Sequence, residues 1–281
     1  PQGNDFVPLA DRIAVFDNDG TLWAEQPLYV DLIFSMDRLR KMAAEDPSIL
    51  TTDALRAGAK GDIKGLFAAG HGGLMEVFRV TQSCLTVPEY QGLVDDWFAI
   101  ARHPDTGLPF DKMTYQPMVE LLRYLRDEGF ATYIVSGDDI YFIRAFSREA
   151  YGIPVQKVLG SYLGMNYRHR DGKPVLVMTA EPGYSAGGPR KAIDIDRIIG
   201  KRPIMAVGNS DGDFEMLEWT TAGEGARLGM LVHHTDAVRE WAYDRDGPVG
   251  KLDRGLDAAA EMGWVVTDMA SDWKTIFTGH Q

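Results

Sequence analysis

Four short apolar runs govern what this chain can fold into: Ile13–Phe16, Ala131–Val135, Ile204–Val207 and Leu228–Val232. Each is too short for a helix and each stops at Asp, Ser, Gly or His. Runs that are apolar at successive positions, without alternation, mark strands buried on both faces of a sheet. Helical patterns separate them. Tyr115–Glu128 sets Met118, Leu121, Leu122 and Leu125 on one stripe and stops at Gly129. Asp139–Tyr151 and Pro189–Ile199 repeat the pattern, the latter with Pro189 in its first turn. Strands alternating with helices predict an α/β fold with a parallel sheet and right-handed crossovers.

The spacing of the runs is uneven. Roughly a hundred residues lie between the first and the second, too many for one crossover helix. That stretch reads helical: Asp31–Glu45 carries Leu32, Ile33, Met36, Leu39 and Met42 at 3-4 spacing, and amphipathic pieces follow near Asp53–Ala69, Leu74–Cys84 and Pro88–Arg102. The expected organisation is a Rossmann-like core over 1–23 and 114–281 with an inserted helical domain over 24–113. A smaller, glycine-punctuated insertion at about 161–188 contains a strand-like Val175–Met178.

Composition narrows the function. The 281 residues are 45% hydrophobic and 25% charged, which is ordinary for a globular chain. Lys+Arg 29 against Asp+Glu 41 leaves a net charge of −12. That balance argues against nucleic-acid binding and against a polybasic membrane patch. No apolar run approaches the ~18 residues that span a bilayer, so membrane insertion is not expected. Cys84 is the single cysteine, which excludes an intrachain disulfide and a cysteine metal cluster. A soluble protein is expected, and because the chain begins at Pro1 its compartment stays open: cytoplasmic, or exported if a signal peptide has been removed.

Chemistry-bearing residues gather at the ends of the apolar runs. Asp17 and Asp19 follow the first, where α/β sheets place their ligands. A turn over Asn18–Gly20 can bring both carboxylates to one small cavity; the alternative is an ordinary Asp-Gly turn. An EF-hand reading fails, because the register ending at Gly20 puts Val15 in the first ligand position. Ser136-Gly137 ends the second run, where a serine can also cap the next helix. Lys191 stands early in a helix, a place where a cation gains from a nearby anion. Gly208-Asn-Ser-Asp-Gly-Asp213 follows the third run, and its oxygen donors suit a hard cation such as Mg²⁺. Together these supply a nucleophile, a proton donor, a hydroxyl, a cation and a metal site, which is what phosphoryl transfer demands.

In these motifs the chain resembles the haloacid dehalogenase-like superfamily, and within it the phosphoserine-phosphatase-like phosphatases. Asp17-Asn-Asp-Gly-Thr21 matches the first family motif, Ser136 the second, Lys191 the third and Gly208–Asp213 the fourth, in family order. The resemblance implies that Asp17 attacks phosphorus to form an aspartyl-phosphate and that Asp19 acts as acid and then base. It implies that Ser136 and Lys191 hold the phosphoryl group. Mg²⁺ would be bound by Asp17, the Asp19 carbonyl and the fourth motif, with Asn209 as ligand, Asp213 in support and Asp211 as competitor. Residues 24–113 would be a helical cap. Thr21, Gly137, Glu25 and Arg56 (or Arg79) are candidate substrate contacts, and the partner implied is a small phosphorylated metabolite. The family usually has Gly-Asp where this chain has Gly208-Asn209, which predicts weaker metal binding.

Other readings compete. Asp19 argues against a dehalogenase, which lacks the second acid. A phosphomutase would use the same Asp pair, and a catalytically silent binding protein is the third. From a different class, Gly208-Asn-Ser210-Asp-Gly212 matches a serine-hydrolase elbow, with His71-Gly72-Gly73 as an oxyanion loop and His280 as the base. Trp23 is expected to pack in the core, and His233-His234 to be structural.

Overall fold

A computed structural model of the chain describes residues 6–279. Its strands are β1 (Ile13–Phe16), β2 (Ala131–Asp139), β3 (Val158–Ser161), β4 (Met165–Arg170), β5 (Lys173–Met178), β6 (Met205–Gly208), β7 (Leu228–His233) and β8 (Val265–Asp268). Six of them form one sheet in the order β3-β2-β1-β6-β7-β8, and every neighbouring pair is parallel. All residues of β1 are buried, as its unbroken apolar run requires. The chain steps outward from β1 to β3 on one side and from β6 to β8 on the other. The reversal beside β1 is a topological switch point, where the loops at the carboxyl ends of adjacent strands part and leave a crevice. Phe16 pairs with Ile134 and with Val207, so β1, β2 and β6 deliver their terminal residues to that crevice at one level.

The helices are α1 (Val30–Glu45), α2 (Asp53–Lys60), α3 (Ile63–Ala68), α4 (Gly70–Gln82), α5 (Val87–Ile100), α6 (Gln116–Asp127), α7 (Ile140–Tyr151), α8 (Pro189–Asp194), α9 (Phe214–Thr221), α10 (Arg254–Met262) and α11 (Met269–Asp272). One apolar core joins Val15, Val135 and Ala206 of the sheet to Phe214 and Leu217 of α9 and to Ala259 of α10. Where α2 and α3 meet, the helix expected over 53–69 breaks at Gly61, and Asp62 caps the next one through the Gly65 N–H. α4 begins earlier than expected and takes in His71-Gly72-Gly73, so that tripeptide is helical and not an oxyanion loop. Among the described residues no helix is long and apolar enough to cross a membrane.

The chain divides into two units. The first runs to Pro27, resumes over Phe98–Ser161 and again from Ser185; it holds the parallel sheet. The second is Leu28–Trp97 with Tyr162–Tyr184. This departs from the expected 24–113 at both ends. Ala24 donates its N–H to Met113 O, His103 contacts Gln26 O, and Trp23 bridges Thr114, so both flanks belong with the sheet. The smaller insertion is not separate either. β4 and β5 form an antiparallel hairpin whose Met178 exchanges backbone hydrogen bonds with Cys84 and Leu85, and whose Arg170 pairs with Glu89 at 3.0 Å.

Candidate active site

The site is built within the sheet-bearing unit. Past β1, the Asp17 N–H still donates to Val207 O of β6, and the chain then turns sharply. Asn18 O accepts from the amides of Thr21, Leu22 and Trp23, while Gly20, at φ +67°, makes the left-handed step that a side chain would strain. His234 closes the turn from outside, with Nε2 at 2.7 Å from Gly20 O. Its other ring nitrogen meets Glu240 at 3.1 Å, and Glu240 also accepts from Tyr115. His234 is thus a brace for the loop, in keeping with the structural role expected of it.

Asp17, Asp19, Ser136, Lys191, Asn209 and Asp213 are all buried. Lys191 Nζ lies 2.7 Å from Asp17 Oδ1 and 2.6 Å from Asp213 Oδ1. Burial is the largest influence on Asp17 and lifts its carboxyl from the ordinary 3.8 to about 7; Asp213 pushes the same way and Lys191 opposes. Burial alone would lower the Lys191 ammonium, but Asp17 and Asp213 hold it above its usual range. It therefore stays charged. Asp19 is fixed at both oxygens: Trp23 Nε1 donates to Oδ1 at 2.9 Å and Asn18 Nδ2 to Oδ2 at 3.2 Å. Ser136 stands two residues beyond Ile134, the partner of Phe16, at the same strand end as Asp17. Its Oγ accepts from the Asp138 N–H, and Gly137 O accepts from Ser161 Oγ. The acidic Asp139 beyond it is the N-cap of α7, taking the amides of Tyr141 and Phe142.

The fourth motif sorts into three tasks. Asp211 accepts from the amides of Asp253, Arg254 and Gly255 and so ties the loop to the start of α10. Asp213 is saturated: Oδ2 accepts from Asn209 N, Ser210 N and Ser210 Oγ, while Oδ1 faces Lys191. It organises the loop and the ammonium. Asn209 Oδ1 accepts from Thr21 Oγ1 at 3.1 Å, and its Nδ2 donates to Glu25 Oε1 at 2.6 Å. The Thr21 hydroxyl is thereby committed to Asn209. Glu25 is buried, and desolvation, with Asp19 next, holds its carboxyl well above the usual range.

Arg56 lies in the other unit and is not among this cluster. Its guanidinium bridges Asp53 at 2.7 Å and donates to Leu50 O at 2.8 Å. Ser210 does not stand as a free nucleophile. Its hydroxyl accepts from Gly212 N and donates to Asp213, and the expected base His280 lies outside the described residues. Two contributors carry no sequence signal of their own: Trp23 as the partner of Asp19, and Tyr243, whose hydroxyl donates to Glu25 at 2.9 Å.

Among the described residues no three His, Cys, Asp or Glu side chains converge as a ready-made metal cage. The donor set is different: carboxylates at Asp17 and Asp213 face the Lys191 ammonium, the buried Asp19 carboxylate stands two residues from Asp17, and Asn209 adds a neutral amide oxygen. Buried negative charge in excess of its cation is a setting that a divalent ion would relieve. Hard oxygen donors of this kind suit Mg²⁺.

A family model described as haloacid dehalogenase-like hydrolase matches residues 14–218. No curated protein sequence matches the chain. Among solved structures, a protein of unknown function from Bordetella pertussis Tohama I superposes with a TM-score of 0.58 at 17% identity, covering 92% of this chain and 98% of that one. A conserved functionally unknown protein from Anaerococcus prevotii DSM 20548 gives 0.54 at 18% identity, over 84% and 83% of the two chains. At such identities the likeness is one of fold, and it spans both units of the chain.

Proposed function

The chain belongs to the haloacid dehalogenase-like hydrolases, and from that premise we propose that it is a Mg²⁺-dependent phosphatase acting on a small phosphorylated metabolite. The observation that carries this reading is the Lys191 ammonium set between Asp17 and Asp213, with Asp19 held at both oxygens two residues from Asp17. In the first step an Asp17 oxygen bonds to phosphorus while the ester P–O bond breaks. Asp19, protonated, gives its proton to the departing oxygen. In the second, Asp19 takes a proton from water, the water oxygen bonds to phosphorus, and the acyl-phosphate bond breaks to return Asp17. Lys191 opposes the burial that lifts the Asp17 carboxyl and faces the phosphoryl charge as it moves.

Ser136 and Gly137, at the end of β2, are assigned to the phosphoryl oxygens. The residues fit the metal that the family implies: the Asp17 carboxylate, the Asp19 carbonyl and Asn209 Oδ1 would hold Mg²⁺. Bound there, the ion would offset negative charge on the phosphoryl oxygens and answer the repulsion of a chain carrying −12. Asp213, saturated by other donors, supports this set without joining it. Substrate choice is assigned to the helical unit. Arg56 remains a candidate contact there, since an exposed pair such as its bridge to Asp53 is held by about 1 kcal/mol or less.

The test is release of inorganic phosphate from an aryl phosphate. Steady turnover with Mg²⁺, its arrest by EDTA, its return on adding Mg²⁺ and its loss in Asp17→Asn are the expected results. Hydrolysis that ignores the chelator and survives Asp17→Asn would overturn the reading and favour an esterase.

A further inference from the structure

The amino ends of the sheet strands, opposite the end that carries Asp17 and Asn209, border a cavity of about 490 Å³ within the sheet-bearing unit. Its wall is apolar and aromatic, with Phe6, Tyr124, Phe130 and Leu228 among the lining side chains. Phe130 directly precedes β2, Leu228 opens β7 and Tyr124 belongs to α6. Phe6, Tyr124 and Leu228 are large apolar residues left 42%, 62% and 37% exposed. Gathered round one concavity of this size, they have the makeup of a small-molecule site and not of scattered surface residues.

Two cations complete the wall. Arg12 and Arg227 both line the cavity, and each is held by backbone carbonyls. Arg12 donates through Nε to Val7 O at 3.0 Å and through Nη1 to Glu128 O at 2.5 Å. Arg227 donates through Nε to Glu224 O and through Nη1 to Pro203 O and Thr220 O. Among the described residues neither guanidinium has a carboxylate partner and neither Nη2 has an acceptor, although acidic residues outnumber basic ones 41 to 29 in this chain. Arg12 also stands 5.7 Å from the centre of the Phe6 ring, so its charge adjoins the apolar wall. Partial burial, and then the Arg202 charge, pull the Arg227 guanidinium below its usual range. The lining carries one carboxylate, on Glu128. Two guanidinium groups less that carboxylate leave a single positive charge, which a monoanion complements. Because the carbonyls already fix both side chains, a carboxylate meets them with little further loss of freedom.

We propose that this cavity binds a small organic monocarboxylate with an aromatic body, at the end of the sheet opposite the phosphatase site. The body lies against Phe6, Tyr124, Phe130 and Leu228, and the carboxylate answers the unpaired charge of Arg12 and Arg227. The inference stands apart from the phosphatase reading, since no residue of the proposed reaction lines the cavity.

Calorimetric titration of the full chain with naphthylacetate, and with naphthylethanol as its uncharged counterpart, tests it. Naphthylacetate should bind once per chain and at least about 10-fold more tightly than the alcohol, the range for a lost hydrogen bond to a charged group. Arg12→Gln and Arg227→Gln should each weaken it by a similar factor. Ala226→Trp fills the cavity from an exposed position and leaves both guanidinium groups in place, so it should abolish binding. Saturating inorganic phosphate should not displace naphthylacetate. No binding, equal affinity for acid and alcohol, displacement by phosphate, unaltered binding in both arginine variants or unaltered binding in Ala226→Trp would each overturn the inference. Both arginines also brace loops, so melting curves accompany the titrations; where an arginine variant melts early, Ala226→Trp and the alcohol comparison decide. A wild-type chain that binds naphthylacetate in this way yet hydrolyses no phosphate ester would sink the phosphatase reading and leave this site standing.

Discussion

At the scale of single residues, Asp19 has the most demanding assignment, because in the proposed reaction it gives up a proton and then takes one at the same place. Its two hydrogen bonds, from Trp23 and Asn18, fix the plane in which that exchange happens. Trp23 is in turn held by stacking on Phe146, with ring centroids 4.5 Å apart and planes 24° from parallel. Replacing Trp23 with Phe keeps an aromatic ring there and removes the indole N–H. We expect kcat to fall by about 10–100-fold, the range for a lost hydrogen bond to a charged group, with KM little changed. Steady-state kinetics beside a melting curve checks this; a fall in stability with kcat intact would make Trp23 a packing residue only. Sequence reasoning placed Trp23 in the core but missed its donor role, because the Asn18–Gly20 turn decides which way the indole points. Tyr243 was harder still, since nothing local to it announces Glu25, whereas the Asp17–Thr21 motif and the Lys191 position were both readable from chemistry at strand ends.

Secondary-structure elements show a second pattern, in which buried caps set the loops of the site. Asp139 anchors the start of α7 just beyond Ser136 and Gly137. Burial lifts its carboxyl from 3.8 to about 6, with the two capping amides pulling back. A folded pKa above the unfolded one means that the folded chain binds the extra proton between these values. Stability is therefore lost as pH rises from about 4 to 6, and the penalty is complete above that. Asparagine caps as well as aspartate and carries no charge. Asp139→Asn should stabilise the protein above pH 6 by about 1–3 kcal/mol and do nothing below about pH 4. Melting temperatures across that window measure it; a gap that closes on raising the pH would contradict the burial argument. The strands β1, β2, β6 and β7 were legible because each is an unbroken apolar run. β3 and β8 were not: Val158–Ser161 carries glycine and serine in its short span, and β8 exposes Val265 at an edge of the sheet.

For the molecule as a whole, charge and chain connection dominate. A net charge of −12 would oppose the approach of the proposed phosphate-ester substrate until it reached Lys191 and the proposed Mg²⁺ site. Raising ionic strength toward about 0.15 M shortens the reach of that repulsion to about 8 Å. At fixed saturating Mg²⁺, kcat/KM for a dianionic ester should therefore rise with added neutral salt. A steep fall would show that the local positive site, and not the net charge, governs encounter. The two-unit division was only half legible. Helical spacing announced an insertion, but the pairing of Met178 with Cys84 and Leu85 joins segments distant in sequence, and no local pattern encodes such a partner. The boundaries at Pro27 and Phe98 were hidden for the same reason, since tertiary contacts of the flanks set them.

The central claim is that Asp17 bonds covalently to phosphorus. Incubating an Asp19→Asn variant with Mg²⁺ and an aryl phosphate, whose leaving group departs without a proton, should strand the intermediate by depriving water of its base. Acid quenching and peptide mass mapping should then find one phosphoryl group, on the peptide bearing Asp17. Turnover by the wild-type chain with no such adduct in the variant, or an adduct on Ser210 instead, would contradict the account.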